Sequence, residues 1–306
     1  MWDTVVRCAE VQALLDDPVA TPGLVLVDCR ADLKDHSAGA RAYAEGHIPG
    51  AVFAALEGDL SGPPVTDRGR HPLPTPAALA ALFGRLGIDA GRQVVAYDDL
   101  GGAFAARLWW MLRYLGHHAV AVLEGGWPAW LAAGGPVETH PIHPVARPPV
   151  AQFSGTPATG RLATLAEVLA APLLVDARDP ARYRGDEEPL DPRAGHIPGA
   201  RNHFFRRNLD EEGLFLPPER LREAFRESLG GGEITEDTIF YCGSGVTACQ
   251  NILAAVRAGL PEPRLYAGSW SEWSRTPDLP VATGPTPEGR IGCPPSPYDS
   301  GGRDDP

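Results

Sequence analysis

The sequence is poor in the features that build metal centres, secreted scaffolds and membrane spans. Cysteine is scarce: Cys8, Cys29, Cys242, Cys249 and Cys293 are the only five in 306 residues. No two stand in a C-x-x-C pair, so their spacing encodes neither a zinc site nor a redox pair. A low, odd number of this kind fits a reducing, cytoplasmic setting. Neither a metal nor an organic cofactor is expected. No apolar run approaches the roughly 20 residues of a membrane-spanning helix. The first fifteen residues carry Asp3, Arg7 and Glu10 and lack the apolar core of a signal peptide. Positive charge is in deficit too, with 27 Lys and Arg against 39 Asp and Glu for a net charge of −12. That disfavours nucleic acid and anionic membranes as partners. It also means that an anionic substrate needs a local basic pocket.

What the chain does contain, it contains twice. Leu24-Val25-Leu26-Val27-Asp28-Cys29-Arg30 returns as Leu173-Leu174-Val175-Asp176-Ala177-Arg178. Gly46-His47-Ile48-Pro49-Gly50-Ala51 returns as Gly195-His196-Ile197-Pro198-Gly199-Ala200. Val94-Val95-Ala96-Tyr97 matches Thr238-Ile239-Phe240-Tyr241, and Trp127 and Trp130 match Trp270 and Trp273. The order is the same and the offset nearly constant: 148 for the aspartates, 149 for the histidines, 144 for the tyrosines and 143 for the tryptophans. These are two copies of one domain.

Short apolar runs at 24–27, 94–97, 119–123, 173–175 and 238–241 read as buried parallel strands. The stretches 104–115 and 249–260 carry apolar residues at helical spacing. The predicted class is therefore α/β, with a parallel sheet flanked by helices in each copy. The boundaries fall at 1–140 and 161–283. A linker spans 141–160, since 141–157 holds five prolines. A Pro/Gly-rich tail, expected to lack order, runs from 284 to 306.

Residues present in both halves serve the fold, and residues present in one half are candidates for chemistry. Asp28/Arg30 and Asp176/Arg178 occur in both, and read as structural ion pairs that support the strand ends. After the shared tyrosine the halves part: Tyr97 is followed by Asp98, Tyr241 by Cys242. Only the second half carries a thiol at a strand end, where open parallel sheets place their sites. The loop Gly243-Ser244-Gly245-Val246-Thr247-Ala248 can turn N–H groups inward and leads into a helix, which favours a thiolate. Cys249, seven residues on, falls on the apolar helical stripe and reads as inert.

These motifs, with Arg70-His71-Pro72-Leu73-Pro74 and Gly125-Gly126-Trp127-Pro128-Ala129-Trp130, resemble the two-domain rhodanese family, and within it the 3-mercaptopyruvate sulfurtransferase branch. The resemblance implies tandem rhodanese domains with an inactive first copy. It also implies a ping-pong transfer in which Cys242 becomes a persulfide and a thiophilic acceptor (cyanide, a thiol or thioredoxin) takes the sulfur. The amides of Gly243 to Ala248 would cradle that sulfur. The thiosulfate-preferring branch carries two basic residues after the cysteine, where this chain has Gly243 and Ser244. The donor's carboxylate would instead meet two arginines, Arg182 and either Arg193 or Arg184, with Arg193 preferred. The branch's Ser–His–Asp relay would use Ser244 and His47, with Asp35 as a guess for the aspartate. Other readings are a thiosulfate sulfurtransferase and a non-catalytic sulfur carrier or scaffold. A Cys-x5-Arg phosphatase is a further one, although it needs an arginine where Ala248 stands.

Overall fold

The computed structural model describes residues 1–17, 19, 21–65, 68–139 and 151–292. Eleven strands occur among them. In chain order they are β1 (Val5–Val6), β2 (Leu24–Asp28), β3 (Val52–Phe53), β4 (Gln93–Tyr97), β5 (Val120–Leu123), β6 (Leu174–Asp176), β7 (Arg201–Asn202), β8 (Ile239–Tyr241), β9 (Arg264–Leu265), β10 (Val281–Thr283) and β11 (Arg290–Gly292). The first half builds a five-stranded parallel sheet in the order β1-β5-β4-β2-β3. The second builds a parallel sheet in the order β7-β6-β8-β9. A parallel bridge from Leu162 to Leu265 stands where β1 meets β5 in the first half. The central strands are apolar apart from Asp28, Gln93 and Asp176 at their ends, because helices cover both faces.

The helix Ala105–Tyr114 forms where the apolar spacing places one, and all ten of its residues are buried. Its counterpart Ala248–Arg257 is buried from Ala248 to Ala255. The two helices pack on each other between the sheets. One core unites them, joining Leu108, Trp109 and Met111 to Val246, Ile252 and Phe215. The halves therefore meet through a hydrophobic interior, which places the start of one half's central helix beside the other half's loop. A helix buried on all sides needs no polar face.

Positions 141–150 of the expected linker, and Cys293 with the rest of the tail, lie outside the described residues. The nearer part of that tail behaves otherwise than expected. β11 pairs antiparallel with β10 in a hairpin, and Pro287 O accepts from Gly199 N at 2.8 Å. No helix among the described residues is long and apolar enough to cross a membrane.

Candidate active site

One scaffold is built twice. The Arg30 Nη2–H donates to Asp28 Oδ2 at 2.6 Å and to Gly46 O at 2.6 Å. Arg178 repeats this with Asp176 at 2.7 Å and Gly195 O at 2.6 Å. Each guanidinium lies over a tryptophan, Trp127 at 4.7 Å and Trp270 at 4.6 Å, so the buried charge meets both a carboxylate and an aromatic face. The histidines are equally symmetric. His47 Nδ1 bonds Tyr43 O at 2.7 Å and its ring stacks on Tyr43 at 3.9 Å. His196 does the same with Tyr183, at 2.8 Å and 3.8 Å. His47 is thus held as part of the common scaffold, and the structure does not bring it to Ser244. This corrects the expectation that it is the relay histidine: a ring whose Nδ1 bond and stacking recur in both halves serves the turn.

The loops beyond β4 and β8 differ as the chemistry demands. In the first half the Asp98 carboxylate accepts four backbone N–H bonds, from Leu100 and Gly102 at 2.8 and 2.9 Å and from Phe104 and Ala105 at 2.7 and 2.8 Å. Burial pushes the carboxyl above its ordinary range, and these four bonds pull the other way. In the second half Cys242 Sγ lies within the corresponding loop and accepts the Gly245 N–H at 3.1 Å. Gly245 has φ +76°, and a Cβ there would meet the Ala267 carbonyl oxygen at 2.5 Å, so only glycine fits. Cys242 is 2% exposed. Its backbone N–H donates to Ser269 Oγ at 3.1 Å. Ser269 holds φ 55°, the only positive φ outside glycine among the described residues. The matching position in the first half is Gly126, at φ 56°. A serine tolerates that strain here because its hydroxyl accepts the Cys242 backbone N–H.

The imidazole beside Ser244 is His71. Its Nδ1 lies 2.7 Å from Ser244 Oγ and its Nε2 3.3 Å from Glu57 Oε1. The carboxylate can only accept, so Nε2 carries the hydrogen and Nδ1 accepts from the serine hydroxyl. Burial and the nearby cations Arg107 and Arg70 lower the His71 pKa to about 3, which keeps the ring neutral. The line therefore runs Ser244–His71–Glu57, and its carboxylate is Glu57 rather than Asp35. Asp35 is exposed and pairs with Arg41 at 2.6 Å.

Two guanidiniums crowd the residue after the thiol. A Cβ on Gly243 would sit 3.2 Å from Arg70 Nη2 and 3.3 Å from Arg182 Nη1. Arg70 pairs with Asp191, whose side chain is fully buried, and the Arg70 backbone N–H donates to Ser271 Oγ at 3.0 Å. Arg182 pairs with Glu188 at 2.7 Å and reaches Asp191 at 3.4 Å, leaving its Nε–H buried and unpaired. Arg275 stands 3.7 Å from the same aspartate. The other two arginine candidates do not join them. Arg193 spends its guanidinium on the carbonyls of Trp273, Ser274, Thr276 and Leu279, at 2.7 to 2.8 Å. These structural bonds take four of the guanidinium's five N–H donors and hold it against its own half's backbone, away from Gly243, which corrects the expected role of Arg193. Arg184 pairs with Asp186 at the surface.

Sequence reasoning missed Arg70, His71, Glu57 and Ser269. Arg70 and His71 stand in a motif that only the first half has, so the rule that unshared residues carry chemistry already pointed to them. An open cleft of 1340 Å³ between the halves is walled by Glu57, Arg70, His71, Leu190 and Arg275 among others.

The fold and this loop define a tandem-domain enzyme with a lone cysteine cradled just beyond a central strand of its second half. The Rhodanese-like domain family matches residues 8–133 and 162–276, and the chain belongs to the rhodanese family, as a sulfurtransferase. A probable 3-mercaptopyruvate sulfurtransferase of Pseudomonas aeruginosa is 50% identical over 275 residues, covering 87% of this chain and 94% of the relative. A putative thiosulfate sulfurtransferase of Mycobacterium tuberculosis is 41% identical over 92% of this chain and 97% of its own length. Among solved structures, the 3-mercaptopyruvate sulfurtransferase from Leishmania major superposes with a TM-score of 0.77 at 32% identity, covering 89% of this chain and 74% of that one.

Proposed function

We propose that the chain takes sulfur from 3-mercaptopyruvate onto Cys242 and passes it to a small thiophilic acceptor, such as cyanide, a thiol or reduced thioredoxin, in the cytoplasm. The observation that carries the choice of donor is the pair Arg70 and Arg182 at Gly243. The loop bears no cationic side chain of its own, so the positive charge is set to one side of the sulfur. A donor with its charge on a remote carboxylate fits that arrangement. In the first step the Cys242 thiolate attacks the donor sulfur. The carbon–sulfur bond breaks, and its electron pair moves into the adjacent ketone as the enolate of pyruvate. The Ser244 hydroxyl spends its one hydrogen on neutral His71, so the enolate takes its proton from solvent as it leaves. The amides of Gly243 to Ala248 hold the persulfide left on Cys242. An acceptor nucleophile then attacks the outer sulfur and restores the thiolate.

Mass spectrometry of the protein incubated with 3-mercaptopyruvate and no acceptor tests this. The expected gain is one sulfur, about 32 Da, on the peptide carrying Cys242, as for any covalent intermediate. No gain, or a gain that survives Cys242→Ser, overturns the reading. A clear preference for thiosulfate in kcat/KM overturns the donor and leaves the persulfide standing.

A further inference from the structure

The two halves reach across to each other by the same contact, made with different side chains. From the first half's central helix, the Arg107 Nη1–H donates to Gly245 O at 2.7 Å. From the second half's, the Gln250 Nε2–H donates to Gly101 O at 3.2 Å. Gly101 and Gly245 are equivalent loop positions, both with positive φ. A neutral amide therefore suffices for the tie onto the loop of Asp98. The loop of Cys242 receives a cation.

That cation is unusual. Arg107 is fully buried. Its remaining bonds go to His71 O at 3.0 Å and Leu60 O at 3.3 Å, and no carboxylate lies within 4 Å of it among the described residues. Every other arginine at the site has an acidic partner: Arg70, Arg182 and Arg275 share Asp191, and Arg182 adds Glu188. The other titratable groups facing the loop are His71, with Glu57 behind it, the Asp176–Arg178 pair beside Tyr241, and Cys249, whose thiol lies against Arg107 itself but which burial pushes up to about 12 despite that guanidinium, so that it stays a neutral thiol and no counter-anion. A buried unpaired charge is costly unless an anion answers it. Gly245 links Arg107 directly to the nucleophile, since its carbonyl takes the guanidinium and its N–H goes to Cys242 Sγ.

We propose that Arg107 is a positioning residue of the first half whose unpaired charge has the Cys242 thiolate and persulfide as its counter-anion, so the inactive copy supplies the electrostatics of the active one. This rests on Cys242 being the nucleophile. The test is the rate of Cys242 alkylation by iodoacetamide as a function of pH in wild type, Arg107→Gln and Arg107→Lys, with unfolding midpoints recorded for each. Gln reproduces the neutral tie that Gln250 makes. At pH 7 the R107Q rate should fall on the order of tenfold, the effect of a rise of about one pKa unit on the thiolate fraction. The rates should converge near pH 11, and R107K should follow wild type. R107Q that folds and keeps the wild-type profile overturns the proposal. If R107Q fails to fold, R107K decides, because a profile displaced to high pH in that variant also overturns it. Wild-type Cys242 that resists alkylation throughout would instead sink the nucleophile itself.

Discussion

Acid should unfold this enzyme through two buried histidines well before its carboxylates titrate. His71 and His203 are both neutral in the native state. Burial first, then the charges of Arg107 and Arg70, hold His71 at about 3. Burial holds His203 at about 4, against the bond to Asn208. His203 is fixed by Ser228 Oγ and Asn208 Oδ1, each at 2.9 Å. The Asn208 amide already donates to Gln250 and Asn251. Asn208 Oδ1 must therefore accept, and a second proton on the ring would face the Ser228 hydroxyl. Unfolded, both rings titrate near 6.5. Because the folded values are depressed, the unfolded chain binds more protons below pH 6.5. Stability is thus complete above that pH and falls as the pH drops toward the folded values. Each histidine costs up to about 1.4 kcal/mol per pH unit, or about 3 kcal/mol at pH 4, as an upper bound. Urea denaturation from pH 7 to pH 4 measures this. His203→Gln and His71→Asn should each be less stable at pH 7 and lose stability less steeply with acid. Identical slopes in wild type and both variants would refute the reasoning.

Other substitutions separate roles that look alike. Arg182→Ala should lower kcat/KM for 3-mercaptopyruvate by roughly 10- to 100-fold, the worth of a hydrogen bond to a charged group, with little change in unfolding midpoint. Arg193→Ala should do the reverse, lowering the midpoint while a steady-state assay finds KM near wild type. Replacing Arg178 with Met strands Asp176 in the core and should destabilise the fold by about 3–5 kcal/mol, read by denaturant titration. Adding a basic side chain by Gly243→Arg should not create a thiosulfate enzyme, because Arg70 and Arg182 already fill that space; a gain in kcat/KM for thiosulfate would contradict the geometry.

The repeat made much of the fold legible. Leu24–Asp28 and Ile239–Tyr241 are apolar runs ending at a turn, and seeing each pattern twice removed the ambiguity of a short apolar stretch. Two-residue strands such as β3, β7 and β9 left no pattern to read, because they are held by the register of their neighbours. The Cys242 loop was readable because glycines around a thiol are a local signal. Its partners were not. His71 meets Ser244 across 173 positions, and nothing local to Gly-His-Ile-Pro shows that His47 turns toward Tyr43. The arginines failed for a related reason: Arg182 and Arg193 sit in similar polar sequence, and only the surrounding carbonyls decide which one is used up.

The Asp98 loop has a consequence for stoichiometry. Its carboxylate carries two terminal oxygens one bond beyond Cγ, much as a persulfide carries its outer sulfur one bond beyond Sγ. The first half thus holds, permanently and covalently, an anion of the kind the second half acquires and gives up in every cycle. Sulfur titration of the whole chain should therefore saturate at one equivalent, although the chain contains two such loops. The first loop cannot be emptied, so only one side of the shared interior has to accommodate the change between resting and loaded enzyme.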